Sequence, residues 1–147
     1  MKPSEIRAEL LQQHREIRAM MEATRAIAVR WRAGDGGGDE LQASVVCLAD
    51  RVRTHNLREE ELLGDVIPDA DAWGPARATV MADEHVKEHG RLYTALLGLP
   101  CTSAEMAGAG VVALIALLRE HMDREEAVFL CEDVLHDDLV VADQHGG

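Results

Sequence analysis

Three breaks rich in glycine and proline divide this chain of 147 residues into four stretches that share one apolar period, and that division limits what it can fold into. The breaks are Gly34-Asp35-Gly36-Gly37-Gly38, the run from Pro68 to Pro75, and the run from Gly98 to Thr102. Between them apolar residues recur every three or four positions, as on a helix with one buried face. The spacing predicts helices over residues 3–33, 39–67, 76–97 and 103–133, with Thr102 and Glu105 spaced as a capping box for the last. Short connections make consecutive helices antiparallel. The expected fold is therefore all-α, an up-down-up-down four-helix bundle over residues 1–135, followed by a polar tail over 136–147. Aromatic residues are 3% of the chain, so the core has to be aliphatic.

Each apolar stripe is interrupted in the same way. The first reads Ile6, Leu10, Leu11, His14, Ile17, Met21, and the second Val45, Leu48, Val52, His55, Glu59, Leu62. The third reads Met81, His85, His89, Leu92, Leu96, and the fourth Leu114, Leu117, Leu118, His121, Glu125, Val128, Phe129. Five histidines and two glutamates thus take interior positions. One unpartnered buried ionisable group costs several kcal/mol. Seven would exceed the whole stability of a typical domain, roughly 5–15 kcal/mol. A cluster of metal cations neutralises carboxylates and uses imidazole lone pairs together. Residues four apart on a helix have Cβ atoms about 5–6 Å apart, so His55/Glu59, His85/His89 and His121/Glu125 can each aim two donors at one small volume. Imidazole with carboxylate suits iron, zinc or manganese. Seven ligands are too many for one tetrahedral zinc, whereas two metals sharing two carboxylates use them all. Glu60 and Glu126 are the alternatives if the register slips by one.

Depth along the bundle is a further condition. At a rise of about 1.5 Å per residue, the ligands of the first, second and third helices lie at matching heights. The third hairpin does not match: about 10 residues follow the ligand pair in the third helix, but about 20 precede it in the fourth. The third helix is expected to stop short, with Gly98–Thr102 running alongside the fourth.

The net charge of −12, with 15 basic residues scattered among 27 acids, argues against nucleic acid or an anionic membrane as partner. No stretch is long and apolar enough for a membrane span. No secretory signal is evident at the start, and Cys47, Cys101 and Cys131 are sparse and far apart, which suits a reducing cytoplasmic setting better than a disulfide framework. Tyr93, one turn beyond His89, is expected to pack rather than serve the site, and His136 and His145 fall outside the stripes.

The order His14, His55-x3-Glu59, His85-x3-His89, His121-x3-Glu125 resembles the hemerythrin and hemerythrin-like (HHE cation-binding) family, over about residues 8–130. The resemblance implies two iron ions joined by an oxo or hydroxo bridge. His85, His89 and His121 would bind one, His14 and His55 the other, and Glu59 and Glu125 would bridge them. It places an open position for dioxygen or another small oxidant on the iron with two histidines. The chain departs from the oxygen carriers of that family, which use Asp one residue further on for the last carboxylate and pack aromatics round the iron. The spacing His121-x3-Glu125 matches the broader bacterial group. That moves the expectation from oxygen transport toward sensing, storage or the handling of oxidative or nitrosative stress. A peroxide- or nitric-oxide-processing enzyme and a structural metal module are the alternatives.

Overall fold

The structure, a computed structural model, describes residues 1–67, 75–99 and 103–137. It has four helices, α1 (Pro3–Arg32), α2 (Gly38–Val66), α3 (Pro75–Leu97) and α4 (Ala104–Val128), and no strand among the described residues. The α1 helix packs on α2 and α4, and α3 packs on α2 and more lightly on α4. This is the expected up-down-up-down bundle. No helix among the described residues is long and apolar enough to cross a membrane.

Local chemistry sets the helix ends. Pro3 occupies the first turn of α1, where its missing N–H is no loss. At the other end the Asp35 N–H donates to the Arg30 carbonyl at 2.9 Å, and Gly34 takes φ +82°, a left-handed backbone that a Cβ would strain. Ser103, rather than Thr102, caps α4: its hydroxyl accepts from the Met106 N–H at 3.3 Å. Thr102 itself lies outside the described residues.

The interior has two apolar parts with the polar residues between them. One gathers Ile17 and Met21 of α1, Val45, Leu48 and Val52 of α2, Leu92 and Leu96 of α3, and Leu114 and Leu118 of α4. The other gathers Ile6, Leu10, Leu62 and Phe129, and adds Leu130, Val134 and Leu135 from beyond α4. The chain changes from one part to the other at His14, at His55/Glu59, at His85/His89 and at His121/Glu125. The seven side chains therefore form one layer across the bundle, with aliphatic packing above and below.

Two further details differ from the expectation. The fourth helix ends at Val128 and not at 133, because the Phe129 and Leu130 N–H groups both close on the Glu125 carbonyl, at 2.8 and 2.9 Å. The chain then turns, with the Val134 N–H donating to the Cys131 carbonyl at 3.2 Å, and lays Leu130, Val134 and Leu135 across the end of the bundle. Leu117 is 53% exposed, since the buried stripe of α4 centres on Val111, Ile115, Leu118 and Met122. Asp137, the last described residue, accepts from both the N–H and the hydroxyl of Ser4 at 3.0 Å each, at the first turn of α1.

The asymmetry of the third hairpin is visible where the chain is described. A Cβ on Gly110 would come within 2.8 Å of Leu99 Cδ2, so Leu99, two residues past α3, lies beside the second turn of α4. Residues 100–102, in the rest of the predicted climbing segment, lie outside the described residues.

Candidate metal centre

All seven side chains are buried, with exposures from 0% at His14 and Glu59 to 8% at His85. They form two groups whose donor atoms lie within 4.8 Å of one another: His85, His89, His121 and Glu125, and His14, His55, Glu59 and Glu125. Glu125 belongs to both. Its Oε1 is 3.3, 3.2 and 2.6 Å from Nε2 of His85, His89 and His121, while Oε2 is 3.2 Å from His14 Nε2. Glu59 approaches both through one oxygen, with Oε2 3.7 Å from His55 Nε2, 3.2 Å from His85 Nε2 and 3.5 Å from His89 Nε2. Donors bound to one metal at about 2.1 Å and at right angles lie about 3 Å apart, so most of these spacings suit a shared ion.

The far nitrogens of His14, His55 and His89 explain the aim of those rings. His14 Nδ1 donates to Glu126 Oε1 at 2.9 Å, and His89 Nδ1 to Glu60 Oε1 at 2.7 Å. His55 Nδ1 donates to Gln13 Oε1 at 2.9 Å, since the Gln13 amide nitrogen is occupied by Glu9 at 3.1 Å. His121 Nδ1 lies 3.5 Å from Glu88 Oε2. Arginines hold two of these partners from outside, Arg18 on Glu126 at 2.6 Å and Arg124 on Glu88 at 2.9 Å, and Arg58 holds Glu9, behind Gln13, at 2.9 Å. A proton fixed on Nδ1 leaves the Nε2 lone pair facing inward, as metal-binding histidines require. Glu60 and Glu126, the alternatives in the case of a slipped register, thus sit behind histidines instead of in the inward layer. Gln13 and Glu88 were not singled out by the sequence pattern. They read there as ordinary surface residues, because Gln13 serves a histidine on another helix and so does Glu88.

Inward lone pairs have a consequence. His14 Nε2 and His55 Nε2 are 3.1 Å apart, and with both rings neutral and protonated on Nδ1, the form that binds metal, neither has a hydrogen to place between them. Glu59 Oε1, His121 Nε2 and Glu125 Oε2 are buried, and although Glu125 lies close to His121 and His14, none of the three atoms makes a contact with hydrogen-bond geometry. Buried orphans are rare in folded proteins, and here they all belong to one layer. A cation among them satisfies each, so the residues fit bound metal.

Protons are the substitute when metal is lacking. Burial works against charging His89, but the Glu125, Glu59 and Glu60 carboxylates outweigh it and push its pKa up to about 10. Burial likewise opposes charging His14, and Glu125 and Glu126 overcome it, raising its pKa. His55 has an amide partner in place of a carboxylate, and burial pushes it down to about 4. Burial would raise Glu59 and Glu125, but the surrounding imidazoles hold both below the ordinary carboxylate range.

Tyr93 packs on the apolar part that contains Ile17 and Leu48, with the Arg53 guanidinium 6.0 Å from its ring centroid. A Cβ on Gly90 would meet nothing within 4 Å, so this glycine serves no close helix approach. His136 is exposed, and His145 lies outside the described residues.

A helical bundle whose middle layer is two groups of histidine and glutamate able to hold metal defines a class, the cation-binding four-helix bundles. Residues 5–132 match the family described as Hemerythrin HHE cation binding domain, which is nearly the whole chain, and the chain belongs to that family. No curated protein and no solved structure matches it.

Proposed function

We propose that this chain is a non-haem di-iron protein that binds dioxygen or a related small oxidant, in sensing, storage or the handling of oxidative or nitrosative stress. The observation that carries the reading is the pair of inward Nε2 atoms of His14 and His55 at 3.1 Å, beside three orphaned donors of the same layer. In this reading His85, His89 and His121 hold one ion, His14 and His55 the other, and Glu59 and Glu125 are shared. Seven nitrogen and oxygen donors exceed what one tetrahedral zinc takes and suit two metals of higher coordination number. Bound iron would supply an open coordination position and exchangeable electrons.

The chain's own residues supply the rest. Glu126, Gln13 and Glu60 keep the Nδ1 protons in place and so keep three imidazoles neutral toward the metal. The aliphatic parts above and below exclude bulk water. Binding is favoured over turnover because Tyr93, the one phenol, lies half-buried against the apolar part beyond the layer and the inward acids are all in the ligand set. Cys47 and Cys131 are free, which suits a reducing cytoplasm.

The test is metal analysis of the purified protein with an optical spectrum before and after azide and peroxide. About two irons per chain and a near-ultraviolet charge-transfer band that shifts with azide are expected. One zinc per chain and no iron would overturn the reading.

A further inference from the structure

We propose that metal reaches this centre as a hydrated divalent cation through the cleft between α3 and α4, and that the Glu88–Arg124 ion pair across the cleft governs its passage. The inference rests on the reading of the seven residues as a metal site.

A cavity of about 190 Å³ occupies this cleft, room for several waters. Its floor is His85, His121 and Glu125. Two of the three orphaned buried atoms, His121 Nε2 and Glu125 Oε2, belong to those floor residues. His85 is also the most exposed of the seven, at 8%, against 0% for His14 on the far side of the layer. The cleft lies where the packing of neighbouring helices is lightest.

Glu84, Glu88 and Arg124 stand at the rim. Two carboxylates against one guanidinium make the rim negative and attract cations, as the charge of −12 on the whole chain does from further away. Arg124 Nη1 donates to both oxygens of Glu88 at 2.9 Å, joining α4 to α3 over the cavity. The two side chains are 49% and 31% exposed, so water competes for the pair and it opens readily. Glu88 Oε2 is also 3.5 Å from His121 Nδ1, which connects the rim to the floor. A cation arriving at the rim can exchange waters for the Glu84 and Glu88 oxygens, then pass to the nitrogens and oxygens of the floor.

A second cavity of about 220 Å³, between α2 and α3, also touches His85. Its walls include Leu63, Ile67, Ala82 and Val86, and its Glu60 already accepts from His89. Thr79 and Asp83 give it oxygens as well, but it reaches only His85 of the seven, where the α3–α4 cavity reaches three.

The test uses the full-length metal-free chain mixed with Co²⁺, with uptake followed by stopped-flow absorbance and the final Co²⁺ content measured. Met81→Trp fills the α3–α4 cavity, and Ala82→Trp fills the other. Met81→Trp should slow uptake by about tenfold or more, while Ala82→Trp stays within about twofold of the parent. Arg124→Ala, at an exposed position that leaves folding intact, should speed uptake by about threefold. All three should reach the parent's final content of about two Co²⁺ per chain. Slow uptake in Ala82→Trp with parental uptake in Met81→Trp would move the path to the other cavity and overturn the inference. Unchanged or slower uptake in Arg124→Ala would overturn the role of the ion pair, whatever the tryptophan variants do. A parent chain that takes up no Co²⁺ would instead overturn the metal-centre reading and this inference with it.

Discussion

Three of the five inward imidazoles owe their aim to the atom behind them. His14 has Glu126, His55 has Gln13 and His89 has Glu60, all within 2.9 Å, and Arg18 and Arg58 steady two of these chains from the surface. Such partners orient the ring and raise its basicity, and their loss commonly weakens metal binding by about 10–100-fold. Gln13→Leu should therefore weaken the metal held by His14 and His55 by about that factor in a competition titration, with helix content by circular dichroism unchanged. Parental affinity in Gln13→Leu would show that His55 needs no partner. His121→Ala, which removes a donor of the other group, should lower iron content toward about one per chain. The inward layer was legible in the sequence because a helix repeats every 3.6 residues and a polar residue on an apolar stripe stands out. The layer behind it was not. Glu60 and Glu126 were visible only as neighbours of ligands, and Gln13 precedes His14 on the surface side of its helix while its histidine sits on α2.

At the scale of elements, three of the four helices follow the glycine and proline punctuation to within a residue. The exception is the end of α4. Residues 129–135 keep an apolar rhythm (Phe129, Leu130, then Val134 and Leu135), so periodicity alone extends the helix past Val128. What ends it is closure of two N–H groups on the Glu125 carbonyl, a backbone event with no sequence signature here. Burial of Leu130 makes the turn part of the core: it is 1% exposed, and Leu130→Ala should cost about 2–5 kcal/mol of stability in urea unfolding. A loss under about 0.5 kcal/mol would mean that the turn packs on nothing. That α3 stops soon after its ligands while α4 starts well before its own was legible, because ligand depth on each helix has to match at one layer. Gly34 is a second local test. At φ +82° a Cβ is strained, and Gly34→Ala should cost about 1–2 kcal/mol, measured by thermal unfolding.

The whole molecule is two aliphatic parts separated by a charged layer, a division that is stable only when the layer is neutralised. Without metal that role falls to protons, and stability should depend on pH in both directions. His89, raised from 6.5 to about 10, contributes fully below pH 6.5, and its contribution is lost as pH rises through 10. His14, also raised, acts in the same sense. His55, lowered from 6.5 to about 4, contributes fully above pH 6.5, and its contribution shrinks as pH falls toward 4. Glu59 and Glu125, both lowered, add to the acid loss below the ordinary value of 4.5. The metal-free chain should thus melt highest near pH 6.5, the value where the two histidine windows meet. The loaded chain should lose the alkaline decline, because its imidazoles hold metal and not protons. Thermal melts across this range with and without chelator check both statements, and a metal-free profile that stays flat up to pH 10 would contradict them.

All of this depends on two ions shared by Glu59 and Glu125, and diffraction at the iron absorption edge on crystals of the protein as purified tests it most directly. Two anomalous peaks about 3.5–4 Å apart are expected, one among His85, His89 and His121 and the other beside His14 and His55. A single peak, or none within the layer, would contradict it.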